Sequence, residues 1–172
     1  MQVFDMQIRH ATPADLPAIN AIYNHYVLHS TCTYQLEAET NADRLAWFER
    51  HGAAHPVIVA EQEHRVVGWG SLSPYRTREA YRRTVENSVY VRQGCQRQGI
   101  GSRLLADLIT RATAIGHHAI IAGIDSEQVG SLVLHVRHGF VEVGRLREVG
   151  FKHGRWLDVV YMERLVAGAP GK

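Results

Sequence analysis

One stretch in the middle of the chain, residues 84–101, constrains the fold more than any other part of the sequence. Its first eight residues, TVENSVYV, alternate in polarity and are rich in β-branched residues, which predicts a strand. A short loop follows, and an amphipathic helix begins near Gly99. The first amides of a helix lack internal partners and carry partial positive charge, and Gly99 and Gly101 let an anion approach them. The segment therefore predicts a cradle for a pyrophosphate group.

Two well-known phosphate-binding loops do not match this cradle. A P-loop requires G-x-x-x-x-G-K-[ST], but Gly94 and Gly99 are followed by Ile100 and Gly101. A dinucleotide fingerprint requires a third glycine three residues after Gly101, where the chain has Leu104. The cradle therefore belongs to neither of these nucleotide-binding classes.

The rest of the chain is organised around this unit as β-α-α-β-β-β-α-β-α-β-β. Strands are predicted at residues 7–9, 56–61, 65–73, 84–91, 118–124, 140–149 and 155–165, and helices at 12–27, 41–51, 99–116 and 131–138. This order predicts an α/β fold with a mixed, mostly antiparallel central sheet, helices on both faces and a central βαβ unit. We expect residues 1–166 to form a single domain, with its start at Met1 or Met6, and residues 167–172 to be a disordered tail. Three tryptophans are expected in the core: Trp47, Trp69 and Trp156.

Composition narrows the functional classes. The formal net charge is +2 at pH 7, which is small for a nucleic-acid-binding surface. Cys32 and Cys95 have neither disulfide nor zinc spacing, and no apolar run approaches the ~20 residues that span a bilayer. His25 and His29 could share one helix face, but no third ligand has a suitable spacing, so no metal is predicted. The sequence indicates a soluble cytoplasmic protein that acts on small molecules, without nucleic acid or membrane as a partner.

The loop after the central strand carries the pattern Q/R-x-x-G-x-G/A, here QRQGIG at residues 96–101. Together with the flanking strand and helix, it resembles the GNAT superfamily of N-acetyltransferases, and the resemblance covers nearly the whole chain. The resemblance implies that acetyl-coenzyme A is the cosubstrate and that this loop holds its pyrophosphate. The implied cofactor-binding residues are Val89, Tyr90 and Val91 on the strand, and Gln96, Arg97, Gln98, Gly99, Ile100 and Gly101 in the loop.

A later motif, QVGSLVLHVRHGF at residues 128–140, resembles the N-x-x-A-x-x-L-Y-x-x-x-G-F pattern of the same superfamily. Two of its residues depart from that pattern, because Gln128 replaces the asparagine and His135 replaces the tyrosine. The resemblance implies that Gln128 and Ser131 contact the cofactor and that His135 protonates the departing thiolate. The alternative for His135 is a helix histidine that only packs against the sheet.

Three further segments resemble the phosphinothricin and methionine sulfoximine acetyltransferases. They are IYNH at residues 22–25 with VLHST at residues 27–31, TVENSVYV at residues 84–91 and VGFKHGRWLD at residues 149–158. The resemblance implies acetyl transfer to the α-amine of a small amino acid analogue such as phosphinothricin, methionine sulfoximine or methionine sulfone. It also implies a homodimer. A separate hypothesis is that the hairpin around residues 152–156 completes a neighbour's pocket.

Glu86 is the predicted general base. An amino acid amine is mostly protonated at pH 7, so a carboxylate near the thioester must accept a proton. Glu86 is a charged residue on a segment otherwise made of strand formers, and the resemblance places the catalytic carboxylate at this position. Backbone amides near Tyr90 and Val91 are expected to stabilise the thioester oxygen. The alternative for Glu86 is an ion pair with Arg82 or Arg83.

Arginines and aromatic residues in residues 75–82 are expected to bind an anionic acceptor, because guanidinium groups match carboxylates. The predicted substrate-binding residues are Tyr34, Tyr75, Arg76, Tyr81 and Arg82.

Two other functions stay open: a protein or peptide N-terminal acetyltransferase, and a non-catalytic acetyl-coenzyme A sensor.

Overall fold

A computed structural model describes residues 6–166 as seven strands, four α-helices and two short 3-10 turns, at Pro13–Asp15 and Glu79–Tyr81. The predicted tail and the choice between Met1 and Met6 as start lie outside the described residues. The strands are β1 (Met6–His10), β2 (Val57–Gln62), β3 (Arg65–Pro74), β4 (Thr84–Val91), β5 (Ala119–Asp125), β6 (Val141–Lys152) and β7 (Arg155–Leu165). The helices are α1 (Leu16–His29), α2 (Asn41–Glu49), α3 (Ile100–Ile115) and α4 (Val129–Arg137).

All seven strands form one sheet in the order β1-β2-β3-β4-β5-β7-β6. Every neighbouring pair is antiparallel except β4 and β5, which are parallel and are joined through α3. The predicted mixed, mostly antiparallel sheet with its central βαβ unit is therefore confirmed. Within residues 6–166, no helix combines the length and apolar character needed to cross a bilayer.

The sheet is covered on both faces, as predicted. Helix α3 buries Leu104, Leu105 and Leu108 completely against one face, and α1 buries Ile19 and Ile22 against the other. Because both faces are covered, β2 is buried along VIVA, which explains its unbroken apolar sequence.

Glycines in β3 let α3 approach the sheet closely. A Cβ atom on Gly68 would lie 3.0 Å from Ile100 Cγ2, and one on Gly70 would lie 3.0 Å from Leu108 Cδ1. Helix α3 lies directly over these two glycines, and this contact fixes its N-terminal end above the middle of the sheet.

Two hairpins end in two-residue turns with positive φ at both central positions, the geometry that suits the twist of antiparallel strands. They lie at Glu63–His64 and at His153–Gly154.

The prediction that Trp156 belongs to the core is wrong. Trp156 is 61% exposed, because it packs edge-to-face on Phe151 on the outer surface of the β6–β7 hairpin.

The sheet opens between β4 and β5. The parallel pairing covers only Thr84 to Glu86 of β4, paired with Ala119 to Ile121 of β5. Beyond this point β4 remains paired with β3 as far as Val91, while β5 remains paired with β7 as far as Asp125. A wedge-shaped gap therefore divides the centre of the sheet.

Candidate active site

The gap exposes backbone amides of β4. Arg92 donates its amide to the Val67 carbonyl across the β3–β4 ladder, at 2.8 Å. Because such bonds alternate along antiparallel strands, the amide of Tyr90 also faces β3, whereas those of Val89 and Val91 face the gap. Of the two amides expected to stabilise the thioester oxygen, Val91 is therefore available, Tyr90 is not, and Val89 is a further candidate.

A cavity of about 830 Å³ runs from the N-terminus of α3, across the gap, to the connection between α1 and α2. This volume is within the usual range for small-ligand sites. Thirteen residues selected from the sequence line it: Tyr34, Glu86, Val89, Tyr90, Val91, Gln96, Arg97, Gly99, Ile100, Gly101, Gln128, Ser131 and His135. Gln98 does not, and neither do Tyr75, Arg76, Tyr81 and Arg82.

The N-terminus of α3 has the geometry of an anion site. Gly99 and Arg97 adopt positive φ values of 81° and 62°, which turns the loop sharply into the helix. The amide of Arg103 donates to the Gly99 carbonyl at 3.0 Å, so the preceding amides of Ile100, Gly101 and Ser102 have no place in the helical ladder. These amides, together with the Arg97 side chain, can hold a pyrophosphate.

Gln96 stabilises the loop between β4 and α3 through side-chain hydrogen bonds. Its side-chain oxygen accepts from the Gly94 amide at 2.8 Å, and its side-chain nitrogen donates to the Tyr26 hydroxyl at 3.1 Å. Tyr26 in turn donates to the Val91 carbonyl at 2.5 Å. Tyr26 was not predicted as a site residue, because a tyrosine on the apolar face of α1 is an ordinary core residue.

Glu86 extends from β4 into the cavity at the point where the two strands separate. It is half-buried, and burial raises the pKa of its carboxyl because the charged form loses hydration. No cation among residues 6–166 forms an ion pair with it, and Arg82 pairs with the exposed Glu79 instead. The alternative that Glu86 serves as an ion-pair partner of Arg82 or Arg83 is not found.

His135 is 3% exposed, and both of its ring nitrogens have partners. Nδ1 lies 2.8 Å from the Ser131 carbonyl, which can only accept, so Nδ1 carries the proton. Nε2 therefore accepts from the side-chain amide of Asn87, at 3.0 Å. Burial lowers the pKa of His135, which favours this neutral ring. In this state the only ring proton of His135 points into α4 and away from the cavity.

Gln128 also lines the cavity, but its side-chain amide is already engaged. Its nitrogen donates to the Thr31 hydroxyl at 3.1 Å and so connects α4 to the α1–α2 connection. The glutamine side chain, longer than the asparagine of the family pattern, thus contacts the α1–α2 connection through its nitrogen.

Tyr34 is placed against the cavity by two strands. Its hydroxyl donates to Asp125 Oδ2 at 2.8 Å, and its ring lies on Gly150, where a Cβ atom would come within 2.6 Å of Tyr34 Cδ2. Asp125 and Tyr161 line the cavity as well and were not selected from the sequence. For Asp125 a signal existed, because an acidic residue ends the apolar strand β5.

The arginine-rich connection between β3 and β4 lies outside this cavity. Tyr75 and Tyr81 pack edge-to-face at 5.7 Å, and the guanidinium of Arg76 lies 5.0 Å from the centre of the Tyr75 ring. The structure of a single chain therefore brings only Tyr34, of the five predicted substrate-binding residues, to the cavity that contains Glu86.

The rings of His25 and His29 lie 5.1 Å apart, and no three potential metal ligands converge in the described chain.

A parallel strand pair that separates beside the free N-terminus of a helix, with a carboxylate at the point of separation, defines an N-acetyltransferase site. The chain belongs to the acetyltransferase (GNAT) family, whose model matches residues 19–140.

Named relatives agree with this assignment. The L-methionine sulfoximine/L-methionine sulfone acetyltransferase of Salmonella typhimurium is 41% identical over 92% of this chain and 93% of its own. A phosphinothricin acetyltransferase from Sinorhizobium meliloti, solved with acetyl-coenzyme A, is 38% identical with a TM-score of 0.92, covering 97% of this chain and 92% of that one. A ribosomal-protein-alanine N-acetyltransferase from Brucella melitensis is 42% identical with a TM-score of 0.91, covering 93% and 99% of the two chains.

Proposed function

We propose that this enzyme transfers an acetyl group from acetyl-coenzyme A to the α-amine of a small amino acid analogue of the phosphinothricin, methionine sulfoximine or methionine sulfone type, in the cytoplasm. The observation that carries the proposal is the unpaired carboxylate of Glu86, which lies in the cavity where β4 and β5 separate. The relatives named for these acceptors support the acceptor class.

The chain's own residues suit the cofactor. The free amides and Arg97 at the start of α3 would hold the pyrophosphate, and the amides of Val89 and Val91 face the neighbouring gap. The side-chain oxygen of Asn87 is buried without a partner within the described residues and can accept from an amide N–H of the pantetheine arm. Bound acetyl-coenzyme A supplies the activated acetyl thioester.

Glu86 moves the proton in this proposal. Its carboxylate takes a proton from the acceptor ammonium, directly or through one water, so that the free amine can attack. The amides of Val89 and Val91 stabilise the oxygen that becomes negative. His135, whose ring proton is donated to the Ser131 carbonyl, positions Asn87 in this proposal and does not act as the predicted acid. The departing thiolate takes its proton from the positively charged nitrogen of the tetrahedral adduct, which leaves the neutral acetyl amide.

The test is acetyl transfer to a panel of amines, followed by product mass, with wild-type enzyme and Glu86→Gln. We expect selective acetylation of the phosphinate and sulfur analogues, and a loss of kcat of about 10²- to 10⁴-fold in Glu86→Gln with unchanged acetyl-coenzyme A affinity. The exposed Glu49→Gln is the matched control. Equal loss of turnover and cofactor affinity in Glu86→Gln would contradict the assigned role.

Two other functions give different results in this assay. The Brucella melitensis relative favours a protein N-terminus as the alternative acceptor, so a short peptide beginning with alanine belongs in the panel. Turnover of that peptide alone would establish the alternative. A sensor would bind acetyl-coenzyme A without turning over any amine, and Glu86→Gln would change nothing.

We further propose a homodimer formed through the β6–β7 hairpin. This hairpin lies at the edge of the sheet and exposes a set of large apolar side chains: Val141, Val143, Leu146, Val149, Phe151 and Trp156. Such a strip on an edge strand usually marks a contact surface. Sedimentation should show a dimer for the wild type and a monomer for Val143→Glu; a monomeric wild type with full activity would remove the proposal.

A further inference from the structure

Lys152 is an unusual residue in this chain. Of the 19 basic residues, only Lys152 and Lys172 are lysines, and all others are arginines. Lys152 ends β6 and is 4% exposed, although lysine is among the residues least often buried. The mechanism proposed above gives it no role.

The contacts of Lys152 are few for a buried ammonium. Its Nζ donates to the Thr33 carbonyl at 2.8 Å, and no carboxylate within residues 6–166 forms an ion pair with it. Burial lowers the pKa of Lys152, which reflects the cost of removing the charge from water. An ammonium with one neutral acceptor is a poor source of stability, so its contact with Thr33 needs another explanation.

Thr33 belongs to the wall of the cavity. Cys32, Thr33 and Tyr34 all line it, and they lie in the connection between α1 and α2, which has no helix or strand. The position of this segment therefore depends on side chains that reach it from elsewhere. Two side-chain hydrogen bonds in the part of the chain that the structure describes reach the main chain of residues 31–34. The bond between the Cys32 amide and the Ser30 hydroxyl lies within the connection, and the bond from Lys152 to Thr33 is the one that comes from another element.

Strand β6 carries a second contact to the same segment. Its first nine residues are exposed, and only Gly150 and Lys152 are buried. These two residues lie two apart and thus on one face of the strand. Gly150 provides the space for the Tyr34 ring, and Lys152 holds the carbonyl of the preceding residue. The two buried residues at the end of β6 thus both contact the segment that contains Thr33 and Tyr34.

We propose that Lys152 is a positioning residue for the acceptor site: its ammonium fixes the Thr33 carbonyl and thereby holds Tyr34 where the acceptor amine binds. This inference rests on the proposed function at one point only, which is the assignment of the cavity wall at Thr33 and Tyr34 to the acceptor.

The test compares Lys152→Met, which removes the donor, with Lys152→Arg, which keeps an N–H donor. Arg147→Met, an exposed residue in the same strand, is the matched control. We expect Lys152→Met to raise the acceptor KM about ten-fold and to leave the acetyl-coenzyme A KM unchanged, because only one wall of the cavity moves. Lys152→Arg should recover part of the loss. A lower melting temperature with an unchanged acceptor KM would overturn the proposal.

A second measurement does not depend on turnover. Amide hydrogen exchange followed by mass spectrometry should show faster exchange in residues 30–36 of Lys152→Met, with the α3 segment unchanged. Unchanged exchange in residues 30–36 would overturn the proposal, even if the acceptor KM rose. If no amine in the panel is acetylated, the proposed function fails, and the exchange of residues 30–36 alone decides whether Lys152 holds this wall.

Discussion

Glu86 and Gly123 lie side by side where the sheet opens. A Cβ atom on Gly123 would be 3.5 Å from Glu86 Oε1 and 3.6 Å from Tyr161 Cε1. The missing side chain on β5 therefore leaves space between the proposed base and an aromatic ring of β7. We expect an acceptor amine that reaches Glu86 to use this space.

Filling that space should impair acceptor binding in proportion to the added volume. Gly123→Ala adds one methyl group at ordinary contact distance, so we expect a loss of acceptor kcat/KM of about ten-fold, and about a hundred-fold or more for Gly123→Val. The acetyl-coenzyme A KM should stay constant. Gly52→Ala, at a site with open space around the added atom, is the control. Equal effects on both substrates would show that Gly123 does not define the acceptor space.

The raised pKa of Glu86 predicts the pH dependence of the reaction. Glu86 must be ionised to accept a proton, so acceptor kcat/KM should fall as pH decreases through its pKa. Because burial raises that pKa above the 4.5 of an ordinary glutamate, the acidic limb should lie at higher pH than for an exposed carboxylate. A rate profile from about pH 5 to pH 9 tests this, and the limb should disappear in Glu86→Gln. If the acidic limb of the profile is still present in Glu86→Gln, it reports the titration of a group other than Glu86.

Gly150→Ala should disturb the acceptor wall directly. The added Cβ would come within 2.6 Å of Tyr34 Cδ2, so the ring must move and its bond to Asp125 must lengthen or break. We expect a loss of stability of about 1–3 kcal/mol, measured by denaturant unfolding, and a higher acceptor KM. Gly144→Ala, in the same strand with nothing near the added atom, should change neither value. A silent Gly150→Ala would mean that Tyr34 has another accessible position.

The bond between Gln128 and Thr31 predicts an acceptor-side effect for a residue first assigned to the cofactor. Gln128→Ala and Thr31→Val each remove this bond and should raise the acceptor KM more than the acetyl-coenzyme A KM. The double variant should be no worse than either single one, because both lose the same interaction. Additive losses, or a change confined to the acetyl-coenzyme A KM, would return Gln128 to its predicted cofactor role.

The sequence predicted the fold well, because the order of the elements follows from local chain geometry; the cofactor half of the site is a prediction of the same local kind. A strand followed by Gly99 and Gly101 at a helix start has few alternative structures, and the structure places the predicted loop beside the cavity. Glu86 was found for a related reason, since a charged residue within a central strand is conspicuous. The sequence does not show the opening between β4 and β5, and the strand register was needed to establish which amides face it.

The acceptor half could not be predicted to the same extent, because it depends on contacts between distant segments. Tyr34 meets Asp125 across 91 residues, and Lys152 meets Thr33 across 119. Periodicity and spacing carry no information about such pairs. The departure at His135 was visible in the sequence, yet its consequence depends on where Asn87 and Ser131 lie.

The gap between β4 and β5 also gives the sheet two strand edges in its interior. An exposed edge is a template for pairing with another chain, and proteins ordinarily cover or charge such edges. Here the Tyr26 hydroxyl occupies the Val91 carbonyl, and the loop that leads into α3 follows directly after it. We expect this contact to make the pairing of another chain with the end of β4 less favourable, so the backbone atoms that line the proposed site also affect resistance to aggregation.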